Sequence, residues 1–131
     1  MTFVPNDQIR EERFDWGVVG WRLTPERGSS QLVVMDVTLD PGGGHDFHRH
    51  PDQEEMIIVK QGRITQYLED ESMELGPGDS VFVPSGAVHA SFNEGDEVAT
   101  LTVVLGPTVN DETGYEVEEV ADQEPWASLR P

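Results

Sequence analysis

Residues 42–55 read GGGHDFHRHPDQEE, and this stretch decides how the chain is read. Successive side chains of an extended strand point to opposite faces, so His48 and His50 point the same way. The carboxylate of Glu55 follows on the next segment. Two imidazoles on one strand face with a carboxylate beside them make half of a metal site. The chain has four histidines, and the only one outside this stretch is His89, whose surroundings make it the third imidazole. Strand parity puts Asp46 with His48 and His50, and Phe47 and Arg49 on the opposite face. In the next strand Glu55, Ile57 and Val59 share a face, with Glu54, Met56, Ile58 and Lys60 opposite. Parity therefore favours Glu55 over Glu54 as the ligand.

Outward from this stretch the chain is a series of short β-branched runs separated by turn residues. The runs are 31–39 (QLVVMDVTL), 46–50, 55–60 (EMIIVK), 63–69 (RITQYLE), 73–75, 80–83 (SVFV), 87–92 (AVHASF) and 98–105 (VATLTVVL). Gly76-Pro77-Gly78-Asp79 and Pro84-Ser85-Gly86 are the clearest breaks. Strands at this spacing predict an all-β sandwich or barrel. Phe14, Trp16, Val18, Val19 and Trp21 predict edge strands and core aromatics ahead of it. The acidic tail after Pro107, which carries Trp126 and Leu129, is expected to wrap the barrel or meet a partner. The whole, 1–131, reads as one domain with its core at about 31–106.

The bulk numbers narrow the function. Eight basic residues stand against 26 acidic ones, a net charge of −18. A nucleic-acid partner needs a basic footprint, and anionic membrane surfaces repel such a chain. Seven of the basic residues are Arg and only Lys60 is Lys. Acid-rich, Lys-poor composition resembles that of salt-adapted proteins, though an ordinary acidic cytosolic protein fits as well. With no Cys, any metal must be held by N and O atoms. The first residues lack the apolar core of a signal peptide, so a cytoplasmic location is expected.

At this point the chain resembles the cupins, small jelly-roll β-barrels of the double-stranded β-helix type. The first cupin motif is matched by Gly42, His48, His50, Glu55 and Gly62, and the second by Gly78, Pro84, Gly86, His89 and Asn93. The resemblance implies one divalent transition metal (Fe, Mn, Ni, Co, Cu or Zn) on His48, His50, Glu55 and His89, with two adjacent coordination positions left open. It also implies a small-molecule substrate and a homodimer; Met56 and Ile58, facing away from the ligand side, are candidates for interface or sheet-packing residues. Similar cupins include dioxygenases of the quercetin type, sugar isomerases, lyases and cyclases, and metal-bearing modules without turnover. The lack of an obvious acid–base pair beyond Glu55, Tyr67 or Asp46 favours dioxygenase-like chemistry, with Glu55 catalytic. His45 reads as a solvated loop residue, and Asp46 and Gln53 as partners that orient a histidine. Trp16, Trp21, Tyr67, Phe82 and Phe92 read as core or barrel wall.

Overall fold

The computed structural model describes residues 2–130. Among the described residues there are eleven strands: β1 (Arg10–Phe14), β2 (Gly17–Leu23), β3 (Val33–Leu39), β4 (Gly44–Arg49), β5 (Glu54–Gln61), β6 (Ile64–Leu68), β7 (Glu71–Leu75), β8 (Ser80–Val83), β9 (His89–Phe92), β10 (Ala99–Gly106) and β11 (Glu118–Glu119). They form two antiparallel sheets. One has the order β1-β2-β3-β10-β5-β8 and the other β11-β4-β9-β6-β7. No α-helix occurs among the described residues. The all-β expectation is met: Phe14 and Trp21 belong to two added strands, with β1 at the edge, and Trp16 lies in the turn between them.

Alternation builds the larger sheet. Val33, Met35, Val37 and Leu39 of β3 are buried while the residues between them are only partly so. β10 repeats the pattern with Ala99, Leu101, Val103 and Leu105. Register aligns these sets: Val103 lies between Met35 and Ile57, and Leu105 between Val33 and Glu55. Each of these aliphatic side chains contributes about 1.5–3 kcal/mol by leaving water. Glu55 is the one member of the row that is charged.

The smaller sheet is covered on both faces. Its inner face closes the main core through Ile64 and Leu75. Its outer face carries Phe47, Val88, Ala90 and Phe92, against which Val120, Trp126 and Leu129 pack. The acidic tail thus wraps the barrel as a cover, and this double burial is why all four residues of β9 are buried. Phe82 departs from expectation: it is 51% exposed on the outer face of the larger sheet, not part of the wall. Tyr67 and Phe92 belong to the second core and Trp21 to the first.

Two glycines are demanded by geometry. Gly62 turns β5 into β6 at φ 78°, a conformation that favours glycine. At Gly44 a Cβ would stand 2.5 Å from the carbonyl oxygen of Ser91, so only glycine lets β4 close on β9.

Candidate metal centre

His48 lies in β4 directly opposite His89 of β9 in the ladder. His50 follows one residue past the end of β4, and Glu55 enters from β5 of the other sheet. All four are buried. The three rings stand with centroids 4.2 to 5.1 Å apart, and one nitrogen of each lies within 4.8 Å of the others. The structure therefore brings together the four residues singled out in the sequence, and Glu54 is exposed on the opposite face.

Each ring is fixed by the same device. Nδ1 of His48 donates to the carbonyl of Asp46 (2.6 Å), that of His50 to Glu116 (2.7 Å), and that of His89 to Ala87 (3.0 Å). A carbonyl can only accept, so the proton sits on Nδ1 and Nε2 keeps its lone pair. Second partners of this kind orient metal-binding histidines.

The lone pairs then meet no donor. Oε1 of Glu55 lies 2.7 Å from Nε2 of His89 and 3.3 Å from Nε2 of His50, yet all three atoms are buried without a hydrogen-bond partner. Two acceptors face to face in a dry interior are unfavourable unless a proton or a metal cation lies between them. Burial and the neighbouring imidazoles of His45, His89 and His50 hold His48 well below the ordinary value of 6.5, so it is neutral. Burial opposes charge on Glu55, but the imidazoles of His50 and His89 prevail and hold its carboxyl well below the ordinary range. Burial likewise opposes charge on His50, but Glu55 and the Glu116 carbonyl raise it. An N-rich set with one carboxylate fits a divalent transition metal, which would displace any proton held on the imidazoles. His48, His50 and His89 form a buried group able to hold one.

His45 corrects the sequence reading. It is a strand residue, not a solvated loop residue, with a side chain 22% exposed, and it lines the main cavity. The cause is a β-bulge between His45 and His48, which puts both on the inner face although they are three residues apart. The same bulge turns Asp46 outward to solvent, so its side chain does not share the face of His48 and His50. Asp46 instead caps the amide of Phe47 with its side chain and holds His48 through its backbone carbonyl. His45 stacks on His48 with centroids 3.5 Å apart and planes 7° apart, and its Nε2 bonds to Glu119 at 3.0 Å. His45, His48 and Glu119 also lie close enough to be compared with a metal site. Stacked parallel rings, however, cannot aim their in-plane lone pairs at one ion.

Gln53 acts through a strap rather than directly. Its amide donates to the carbonyls of Pro107 and Gly114 and accepts from the amide of Glu116, the residue whose carbonyl holds His50. Tyr115, Val117 and Glu119 of the same strap line the cavity. Nothing local in the tail's sequence marks them, because they are placed by contacts to residues some sixty positions earlier. The cavity itself, about 210 Å³, runs between the sheets with the histidine–glutamate cluster at one end and Phe14, Trp16, Trp21 and Tyr115 along its walls.

With this geometry in place, comparison identifies the family. The cupin domain family matches residues 35–105, and the chain belongs to it. Protein SchB of Streptomyces halstedii is 31% identical over 102 residues, 77% of this chain and 74% of that protein. Polyketide synthase CurC of Streptomyces cyaneus is 29% identical over 101 residues, 76% of this chain and 66% of that one. Among solved structures, the polyketide cyclase RemF of Streptomyces resistomycificus superposes with a TM-score of 0.72 at 22% identity, covering 98% of both chains. That likeness is one of fold. No helix among the described residues is long and apolar enough to cross a membrane.

Proposed function

We propose that this chain is a metal-dependent enzyme acting on a small organic molecule by Lewis-acid or O2 chemistry of the dioxygenase-like kind. The observation that carries the reading is the set of buried, partnerless atoms, Nε2 of His50 and His89 and Oε1 of Glu55, beside a cavity that His89 and Glu55 line among mostly apolar side chains. A closed structural site would not open onto such a space. His48, His50, His89 and Glu55 would hold the ion. When bound, it would polarise a substrate oxygen and stabilise developing negative charge there. The residues supply the rest. The carbonyls of Asp46, Glu116 and Ala87 keep the imidazoles aimed. Glu55 can take a substrate proton on its other oxygen, and the aromatic walls keep bulk water out.

A cyclase-type reaction is the second reading. The cavity is lined by aromatic rings, and the related CurC is described as a polyketide synthase. A sugar isomerase draws less support, since so apolar a lining leaves sugar hydroxyls unpaired. A non-catalytic binding module would share the metal set but show no turnover. Elemental analysis of the purified protein, followed by O2-electrode assays on enediols and flavonols, decides among them. One metal per chain with O2 uptake supports the leading reading. Turnover without O2 supports the cyclase, and a metal-free protein overturns both. The protein is further proposed to be a cytoplasmic homodimer, on its apolar outer sheet face.

A further inference from the structure

The cavity between the sheets has a second unpaired polar group besides the histidine–glutamate cluster. Tyr115 lies edge-on to Trp21 at 5.9 Å and against the ring of His50 at 4.9 Å. Its hydrogen bonds, to Asn110 and Thr113, run through its backbone. The hydroxyl, on a cavity-lining side chain, is left without a protein partner among the described residues. A phenol at neutral pH is a donor, and one that faces a cavity is satisfied when a ligand oxygen arrives.

The remaining walls define what that ligand is. Phe14 and Trp16 stack within 5° of parallel, and Trp16 and His45 within 12°, so these rings cover one another's faces and leave their edges to the cavity. Ring edges are the positive part of the aromatic quadrupole and favour the flat face of an aromatic guest. No Lys or Arg lines the cavity, whereas the carboxylates of Glu55 and Glu119 do. A carboxylate directed away from a bound metal would be desolvated beside two like charges with no side-chain cation to pair it.

We propose that the cavity binds a flat ring compound carrying two oxygen groups, one delivered to the His48–His50–His89–Glu55 end and the other, uncharged, received by the hydroxyl of Tyr115. The first half of this rests on reading those four residues as a metal centre; the second does not. Tyr115 is thereby a specificity residue, because a site built to bond an oxygen discriminates against analogues that lack it.

The test is calorimetric titration of zinc-loaded and zinc-free protein with phenol, resorcinol and benzoate. Resorcinol is chosen because its two hydroxyls cannot both reach one ion. The zinc-loaded protein is expected to bind resorcinol more tightly than phenol, and the zinc-free protein to bind benzoate at least about tenfold more weakly than resorcinol, as for an uncompensated buried charge. Tyr115→Phe should weaken resorcinol by roughly three- to tenfold, the loss of one neutral hydrogen bond, and leave phenol unchanged in the zinc-loaded form. It keeps the ring packed on His50 and Trp21, so melting should match wild type, and the wild-type panel judges ligand charge in any case. The Tyr115 dependence should persist without zinc. Failure to hold zinc would count against the metal centre alone. Equal resorcinol affinity in wild type and Tyr115→Phe, benzoate as tight as resorcinol in the zinc-free protein, or no ring compound bound at all would overturn the proposal.

Discussion

Oε1 of Glu55 stands 2.7 Å from Nε2 of His89, although Glu55 belongs to β5 in one sheet and His89 to β9 in the other. The carboxylate is therefore the only ligand candidate that reaches across the core. Removing it should leave three imidazoles converging without their counter-charge. Glu55→Ala is expected to lower metal affinity by more than the roughly 10–100-fold that loss of an outer partner costs, while Glu54→Ala binds as wild type. Competition with a chelator measures both, and metal loss in Glu54→Ala alone would reverse the assignment.

Gln53 should matter more than an uncharged residue outside the metal set normally does. Gln53→Ala leaves the carbonyls of Pro107 and Gly114 and the amide of Glu116 short of a buried partner. A loss of about 2–4 kcal/mol in urea unfolding is expected. Metal affinity should fall with it, since Glu116 holds His50. Unchanged stability would show that the strap fastens elsewhere.

The metal-free protein should be most heat-stable near pH 6.5. Burial and its neighbouring imidazoles lower His48 below the ordinary 6.5, so the unfolded chain takes up this proton first, and stability falls as pH drops below that value. His50 is raised, against its burial, by Glu55. Its contribution is complete below the unfolded value and is lost as pH rises through the higher folded one. Below the ordinary carboxyl value of 4.5, protonation linked to the lowered Glu55 adds a further loss. With metal bound, acid should expel the ion as imidazoles protonate, from about pH 6 downward. Scanning calorimetry across pH, with and without metal, checks the two profiles; a flat metal-free profile would contradict the assigned shifts.

The outer face of the larger sheet carries an apolar row. Phe82, Met56, Val104 and Val34 are cross-strand neighbours in turn, ending at the edge strand β8. Such a row on an edge calls for cover. Light scattering should give twice the chain mass of 14.6 kDa, and Met56→Glu should give the single mass. A wild-type monomer would dispose of the dimer.

A net charge of −18 predicts that salt stabilises the fold by screening self-repulsion. The melting temperature should rise between low and molar salt. Salt-insensitive melting would remove the salt-adapted reading.

The all-β fold and the meeting of His48, His50, Glu55 and His89 were legible in the chain. Strand parity and turn glycines are local properties, and the inward run Glu55, Ile57, Val59 is written directly in the order of residues. Parity failed where the ladder slips. No residue type around Asp46 announces the bulge that interrupts the pairing of β4 with β9 between His45 and His48. His45 therefore reached the cavity and Asp46 left it. The outward Phe82 misled in the opposite sense, since an aromatic at an edge strand looks the same in sequence whether it faces core or partner. Order along the chain determined which atoms could bind a metal. Only tertiary packing decided what stands opposite them: Tyr115, Glu119 and the strap held by Gln53 arrive from the distant tail through long-range hydrogen bonds, which no local pattern encodes.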